Sequence, residues 1–206
     1  MSGASYTLID MLRHGEPVGG RRYRGQTDDP LSAKGWAQMR AATAGERPWT
    51  VLISSPLSRC RAFAEELAAQ TGLPLSIDAR LSEVGFGVWE GKTAEQLKAV
   101  DPECVFNFKC DPVAYRPDGA EPLDLFHDRV VAALQAILAA HAGGHPLIIA
   151  HAGVMRMAIC HVLGLPPAHA YRLQVGSAAL ARFRIERQGD RSHAALLHLT
   201  PGIPAG

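Results

Sequence analysis

Three short stretches, Thr7–Leu12, Thr50–Ile53 and Pro146–Ala150, are built almost wholly from apolar residues, with little alternation between apolar and polar positions. A strand covered on one face alternates with period two, whereas a nearly continuous apolar run of this length belongs to a strand covered on both. The intervening sequence has the complementary pattern. Ser32 can cap a helix through about Ala44, a second helix runs from Ser58 to Gly72, and Leu123 to His141 is rich in alanine and leucine. A further extended segment is expected near Leu75–Ala79. This alternation predicts an α/β fold, a three-layer α/β/α sandwich around a mostly parallel sheet. Ala178–Ile185 and Ala194–Leu199, separated by the polar Gln188-Gly189-Asp190, read as a closing hairpin that adds antiparallel strands.

With 206 residues, 47% of them hydrophobic, the chain is expected to form one domain over residues 1–206. Asp101–Pro122 contains Pro102, Pro112, Pro117 and Pro122, which predicts a partly helical lid or insertion, and residues 200–206 read as a loose tail. Basic and acidic residues nearly balance, so no global field favours nucleic acid or a membrane surface; Arg21, Arg22 and Arg24 concentrate positive charge locally. No run reaches membrane-spanning length and Met1–Asp10 lacks a leader pattern, so a soluble cytoplasmic protein is expected. Oligomeric state is not written in the sequence. Cys60, Cys104, Cys110 and Cys160 form no Cys-x-x-Cys pair and read as reduced packing residues. His141 and His145 have helical ligand spacing, but Gly143-Gly144 breaks the helix that would present both, so neither a metal nor a cofactor is expected.

The residues that end the apolar runs carry the chemistry: Arg13-His14-Gly15, Ser54-Ser55-Pro56-Leu57-Ser58-Arg59 and His151-Ala152-Gly153. In an open α/β sheet, ligands collect beyond the carboxyl ends of the strands. A guanidinium binds two phosphate oxygens at once and a neutral imidazole can attack phosphorus. His14 is the candidate nucleophile. Arg13 and Arg59 would oppose its protonation and neutralise the phosphoryl oxygens, while His151 would donate to a non-bridging oxygen. Glu83, beside a glycine-rich stretch, is the candidate proton donor to the leaving group, and Glu90 is its rival. Gly87-x-x-x-Gly91-Lys92-Thr93 is one residue too short for a nucleotide P-loop, and Thr93 with Gln96 makes a helix capping box instead. Taken singly, each of these residues has a bland alternative: a salt-bridged Arg13–His14 pair, a solvated Arg59, a surface Glu83, a polar strand-end His151.

Taken together, Arg13-His14-Gly15, Ser55-Pro56-Leu57-Ser58-Arg59, Glu83-x-x-Phe86-Gly87-x-Trp89-Glu90-Gly91 and His151-Ala152-Gly153 resemble the histidine phosphatase, or phosphoglycerate mutase-like, superfamily. The resemblance implies a three-layer fold, a phosphohistidine intermediate, no metal requirement and a small phosphorylated metabolite as partner. It places His14 as nucleophile, Arg13, Arg59 and His151 in the phosphate pocket, and Glu83 as proton donor. Within the superfamily, Tyr23–Gln38 and Phe86–Gly91 are similar to alpha-ribazole phosphatases of cobalamin biosynthesis, with Arg24, Gly25, Gln26 and Ala152 as substrate-binding positions. The chain departs from the usual pattern at Pro17, where a hydroxyl residue often stands, at Gly20, where an asparagine is common, and at Pro117–Pro122, which replaces a Gly-Glu-Ser pattern. The function implied is a metal-independent phosphomonoesterase. Its rivals are a phosphoglycerate mutase or phosphosugar phosphatase of the same superfamily, a metallophosphatase, and a non-catalytic phospholigand-binding protein.

Overall fold

The computed structural model describes residues 6–189 and 191–202. Six strands form one sheet: β1 (Tyr6–Arg13), β2 (Val51–Ser54), β3 (Leu75–Ile77), β4 (Pro146–Ala150), β5 (Leu180–Gln188) and β6 (Arg191–Leu199), in the spatial order β3-β2-β4-β1-β5-β6. The first four are mutually parallel, and β5 and β6 close the β1 side as antiparallel strands. The apolar runs sit where two-sided burial puts them. On β2, Val51 and Ile53 enter one core while Leu52 enters the other; on β4, Ile148 and Ala150 oppose Leu147 and Ile149 in the same way.

Helices α1 (Ala33–Ala42) and α2 (Ser58–Thr71) bring Met39, Cys60, Phe63 and Leu67 to one face of the sheet. Two short helices, α3 (Ala94–Lys98) and α4 (Cys104–Cys110), lie between β3 and the long α5 (Leu123–Ala140). Helix α5 and the following α6 (Ala152–Leu163) cover the opposite face with Phe126, Val130, Ile137, Met155 and Ile159. Helix α6 was not legible from periodicity, because almost every residue from Ala152 to Cys160 is buried and no polar face marks a helical repeat. Gly72 and Gly164, both with positive φ, end α2 and α6. The expected strand near Leu75–Ala79 stops at Ile77, because Asp78 caps a 3-10 turn over Ala79–Leu81. The capping box of Thr93 and Gln96 starts α3. Residues 101–122 hold α4 and turns, and Ala120 bridges to Phe86. In the expected hairpin turn, Asp190 lies outside the described residues, as do residues 203–206 of the expected tail.

The chain runs outward from β1 to β2 and β3, then returns to insert β4 between β1 and β2. The carboxyl ends of β1, β2 and β4 therefore open onto one crevice, the place where a doubly wound sheet binds ligands. The turn after β1 is fixed by backbone contact: Ser32 donates its N–H and hydroxyl to the Glu16 carbonyl at 2.9 Å each and accepts the Gly35 N–H. A Cβ on Gly35 would stand 2.1 Å from the Glu16 carbonyl oxygen, and one on Gly15 would stand 2.2 Å from the Gly35 carbonyl oxygen. Backbone cannot yield as a flexible side chain would, so Gly35→Ala is expected to destabilise the protein by about 1–3 kcal/mol in chemical denaturation. Wild-type stability in that variant would contradict the close approach.

Candidate active site

His14 is the first residue beyond β1, tied to the neighbouring strand by its N–H to the Ala150 carbonyl at 3.0 Å. Its side chain is buried, and Nδ1 lies 2.7 Å from the carbonyl oxygen of Gly15. A carbonyl can only accept, so Nδ1 carries the proton and Nε2 is left with its lone pair. Burial, and next the charges of Arg13 and Arg59, hold the His14 pKa well below its ordinary value of 6.5. The imidazole is therefore both neutral and in the tautomer that exposes a nucleophilic Nε2.

Arg13 donates Nη1 to the Val175 carbonyl at 2.8 Å, and its Nε is buried without a hydrogen-bond partner among the described residues. Burial, followed by repulsion from Arg156, brings its pKa down to about 10, which leaves it charged at neutral pH. Arg59, in the first turn of α2, is wholly buried; Nη1 and Nη2 donate to the carbonyls of Thr27 and Gly25 at 2.8 and 3.1 Å, and its Nε is likewise unpaired. The Ser58 hydroxyl is a third buried polar group without a partner among the described residues. Unpaired buried donors of this kind are costly, and an oxyanion satisfies them.

His151 caps β4 and precedes α6, with its ring 5.2 Å from that of His14 in an edge-on arrangement. One ring nitrogen is 2.7 Å from the Ser55 hydroxyl, which also accepts the Leu57 N–H. Burial, then Arg59, His14 and Arg13, push its pKa well below 6.5. Cys60, 3.6 Å from His151 Nε2, donates to the Ala150 carbonyl; burial raises its thiol pKa far above the ordinary range, so it is an inert packing group. Ala152 begins α6, where the first amides have no intrahelical acceptor.

Glu83 is buried in the loop before Phe86, with Oε1 accepting the Val84 N–H and Oε2 the Gly153 N–H, each at 3.0 Å. A Cβ on Gly153 would stand 2.2 Å from Glu83 Oε1, so the glycine of His151-Ala152-Gly153 is what admits the carboxylate. Glu90 has a different task. It accepts N–H groups from Gly25, Gln26, Thr27 and Phe86 and the Thr27 hydroxyl. Burial alone would raise its pKa, but these donors, led by the Phe86 N–H, bring the net value below normal. It is an ionised staple between two loops, a poor proton donor.

The sequence assigns Arg24, Gly25 and Gln26 to substrate, and in the structure each of them has protein hydrogen-bond partners. All three guanidinium nitrogens of the buried Arg24 donate within the loop, to Asp29 and to the Gly20 and Val18 carbonyls at 2.5, 2.5 and 2.6 Å. Gly25 gives its N–H to Glu90 and its carbonyl to Arg59, and a Cβ there would meet the Val84 carbonyl oxygen at 2.2 Å. The Gln26 side chain donates to the Glu83 carbonyl at 2.8 Å. Sequence reasoning missed Arg129, which donates to the carbonyls of Arg80, Ser82 and Glu83 and pairs with Glu121 at 2.6 Å, fixing the loop that carries Glu83. Among the described residues, no three metal-ligating side chains gather, and no helix is long and apolar enough to cross a membrane.

Such an array, a buried neutral histidine and a second imidazole among arginines at the switch point of an α/β sheet, defines a phosphate-handling enzyme. Residues 9–196 match the family profile of the histidine phosphatase superfamily (branch 1), and the chain belongs to that superfamily, whose activities are those of phosphatases and mutases. It is 33% identical over 204 residues to the "Probable phosphoglycerate mutase GpmB" of Citrobacter koseri, an alignment covering 90% of this chain and 94% of that one. A mycobacterial glucosyl-3-phosphoglycerate phosphatase superposes with a TM-score of 0.82 at 28% identity, over 93% of this chain and 97% of its own. An Escherichia coli K-12 chain with a proposed alpha-ribazole-5'-P phosphatase activity superposes with a TM-score of 0.77 over 97% and 99%, but at 24% identity it supports the shared fold alone.

Neutral His14 and His151 have a thermodynamic consequence. The unfolded chain takes up protons at both histidines as pH falls through 6.5 and the folded chain does not, so stability declines from pH 6.5 downward, toward the lower folded values. Imidazole NMR is expected to show both rings still neutral at pH 6 in the ligand-free protein. A midpoint at or above 6.5 for either ring would contradict the electrostatics described.

Proposed function

We propose that the protein is a metal-independent phosphomonoesterase that acts through a phosphohistidine on His14. The observation that carries this reading is the His14 tautomer, with Nδ1 held by Gly15 and Nε2 left as a nucleophile beside Arg13 and Arg59. Nε2 attacks phosphorus and the P–O ester bond breaks. Arg13, Arg59 and His151 bind the three phosphoryl oxygens as charge spreads over them. Glu83, in its protonated form, passes its proton to the departing oxygen. The resulting carboxylate then takes a proton from water, whose oxygen attacks phosphorus as the P–N bond breaks, releasing phosphate and restoring neutral His14. Arg24, Gly25, Gln26, Glu90 and Arg129 are assigned to positioning, Ala152 to the helix end that faces the phosphoryl group, and residues 101–122 to covering the pocket.

The substrate is a small phosphorylated metabolite. Alpha-ribazole 5'-phosphate is supported by the Tyr23–Gln38 and Phe86–Gly91 motifs. A phosphoglycerate is supported by the relative at 33% identity, which also keeps a mutase as the second reading. Phosphate release is the deciding measurement. Wild-type protein should free phosphate from p-nitrophenyl phosphate and His14→Ala should lose at least about a thousandfold in rate. Glu83→Gln should lose about 10²- to 10⁴-fold with an alkyl phosphate such as glycerol 3-phosphate and much less with the p-nitrophenyl ester, whose leaving group needs no proton. Equal rates for wild type and His14→Ala would remove the nucleophile, and isomerisation of 3-phosphoglycerate without phosphate release would make the enzyme a mutase.

A further inference from the structure

Ser55 has no part in the steps above, yet its hydroxyl is bonded to one of the residues that carry them. Neighbouring strands fix its place: just beyond β2, the Ser55 N–H donates to the Ile149 carbonyl of β4 at 3.0 Å, and the Ser55 carbonyl accepts the Ser54 hydroxyl at 2.9 Å. Ser55 and His151 are both fully buried, and the hydroxyl oxygen lies 2.7 Å from Nε2 of the ring. The same oxygen accepts the Leu57 N–H at 3.3 Å.

A serine hydroxyl has two lone pairs to fill and one proton to place. Leu57 takes a lone pair, and among the described residues the acceptor within reach of the hydroxyl proton is Nε2. Were Nε2 to carry the ring proton, it would donate to Ser55, and the hydroxyl proton would be left buried without an acceptor, a costly arrangement. With the hydroxyl donating to Nε2, the proton of the neutral ring sits on Nδ1. Cys60 does not compete: its thiol donates to the Ala150 carbonyl at 3.3 Å, and its sulfur lies at nearly equal distances from Nδ1 and Nε2, 3.8 and 3.6 Å, so it favours neither. Sulfur is also a weak acceptor, which leaves the Nδ1–H without a strong protein partner among the described residues. His14 and His151 then hold the same tautomer for opposite uses. His14 gives its Nδ1–H to Gly15 and keeps a bare Nε2, whereas His151 has Nε2 filled by Ser55 and keeps an N–H to offer.

We propose that Ser55 is a positioning residue: by donating to Nε2 it fixes the neutral His151 ring as the Nδ1–H tautomer and so makes that ring a hydrogen-bond donor to the phosphoryl group. This rests on the phosphomonoesterase reading for what the donor meets, so its tests need no turnover. In nitrogen-resolved imidazole NMR of the ligand-free protein at neutral pH, His151 should show a protonated Nδ1 and a bare Nε2, and Ser55→Ala should populate the Nε2–H form. Inorganic phosphate, followed by calorimetry, should bind about three- to tenfold more weakly to Ser55→Ala than to wild type. In a His151→Ala background the same serine substitution should change phosphate affinity by less than about twofold, because its effect passes through the ring. A general loosening of the β2 end would instead weaken binding in both backgrounds. A wild-type His151 protonated at Nε2, a tautomer unmoved by Ser55→Ala, or an equal loss of affinity with and without His151 would overturn the proposal. Absence of phosphate binding by the wild-type protein would count against the phosphomonoesterase reading, and the tautomer, read without phosphate, would still decide the part played by Ser55.

Discussion

The site depends on keeping several guanidinium charges buried without neutralising them. Arg13 and Arg59 are held by backbone carbonyls, that of Val175 and those of Gly25 and Thr27. A carbonyl supplies a dipole that fixes the guanidinium and offsets part of its desolvation, but it brings no counter-charge. The positive potential is therefore left for a ligand. Arg24 and Arg129, by contrast, each pair with a carboxylate, Asp29 and Glu121 respectively. Burial first, and this same potential after it, keep His14 and His151 neutral, so the proposed nucleophile and the cations that would bind its target belong to one buried arrangement.

Close backbone packing makes this arrangement rigid. Gly153 lets the Glu83 carboxylate reach the start of α6, and Gly25 lets Glu90 and the Val84 carbonyl approach the loop that lies over Arg59. Gly15 and Gly35 bring the turn after His14 against the first turn of α1. In each case a methyl group would meet an oxygen near 2.2 Å, so the glycines in the motifs are packing requirements imposed by polar neighbours. Arg129 completes the frame by collecting three carbonyls of the Glu83 loop on one guanidinium.

Much of the fold was readable because two-sided strands and capped helices leave local marks. Pro146–Ala150 is the strand predicted, and Ser32, Gly72 and the Thr93–Gln96 box act where their chemistry says they should. Helix α6 was not readable, since burial on all sides erases the polar face that would reveal a helical repeat. The strand ends that gather Arg13, His14, Ser55 and His151 were also legible, because topology alone brings them together. The hydrogen-bond partners of Arg24, Gly25, Gln26 and Glu90 were not. A motif shows that a polar group is present near a pocket but not which protein groups its hydrogen bonds reach, and these partners lie far along the chain or within the loop itself. Arg129 carries no local signal at all, being placed by contacts more distant than any sequence window.

Trapping the intermediate tests the central claim most directly. Wild-type protein mixed with a phosphate-labelled monoester and quenched in alkali within milliseconds should carry an acid-labile, alkali-stable label, and peptide mapping should place it on His14 at Nε2. Label on another residue, or full turnover with no phosphoprotein trapped at any quench time and an unlabelled His14, would contradict the account of a neutral, carbonyl-oriented imidazole poised within a cluster of unneutralised arginines.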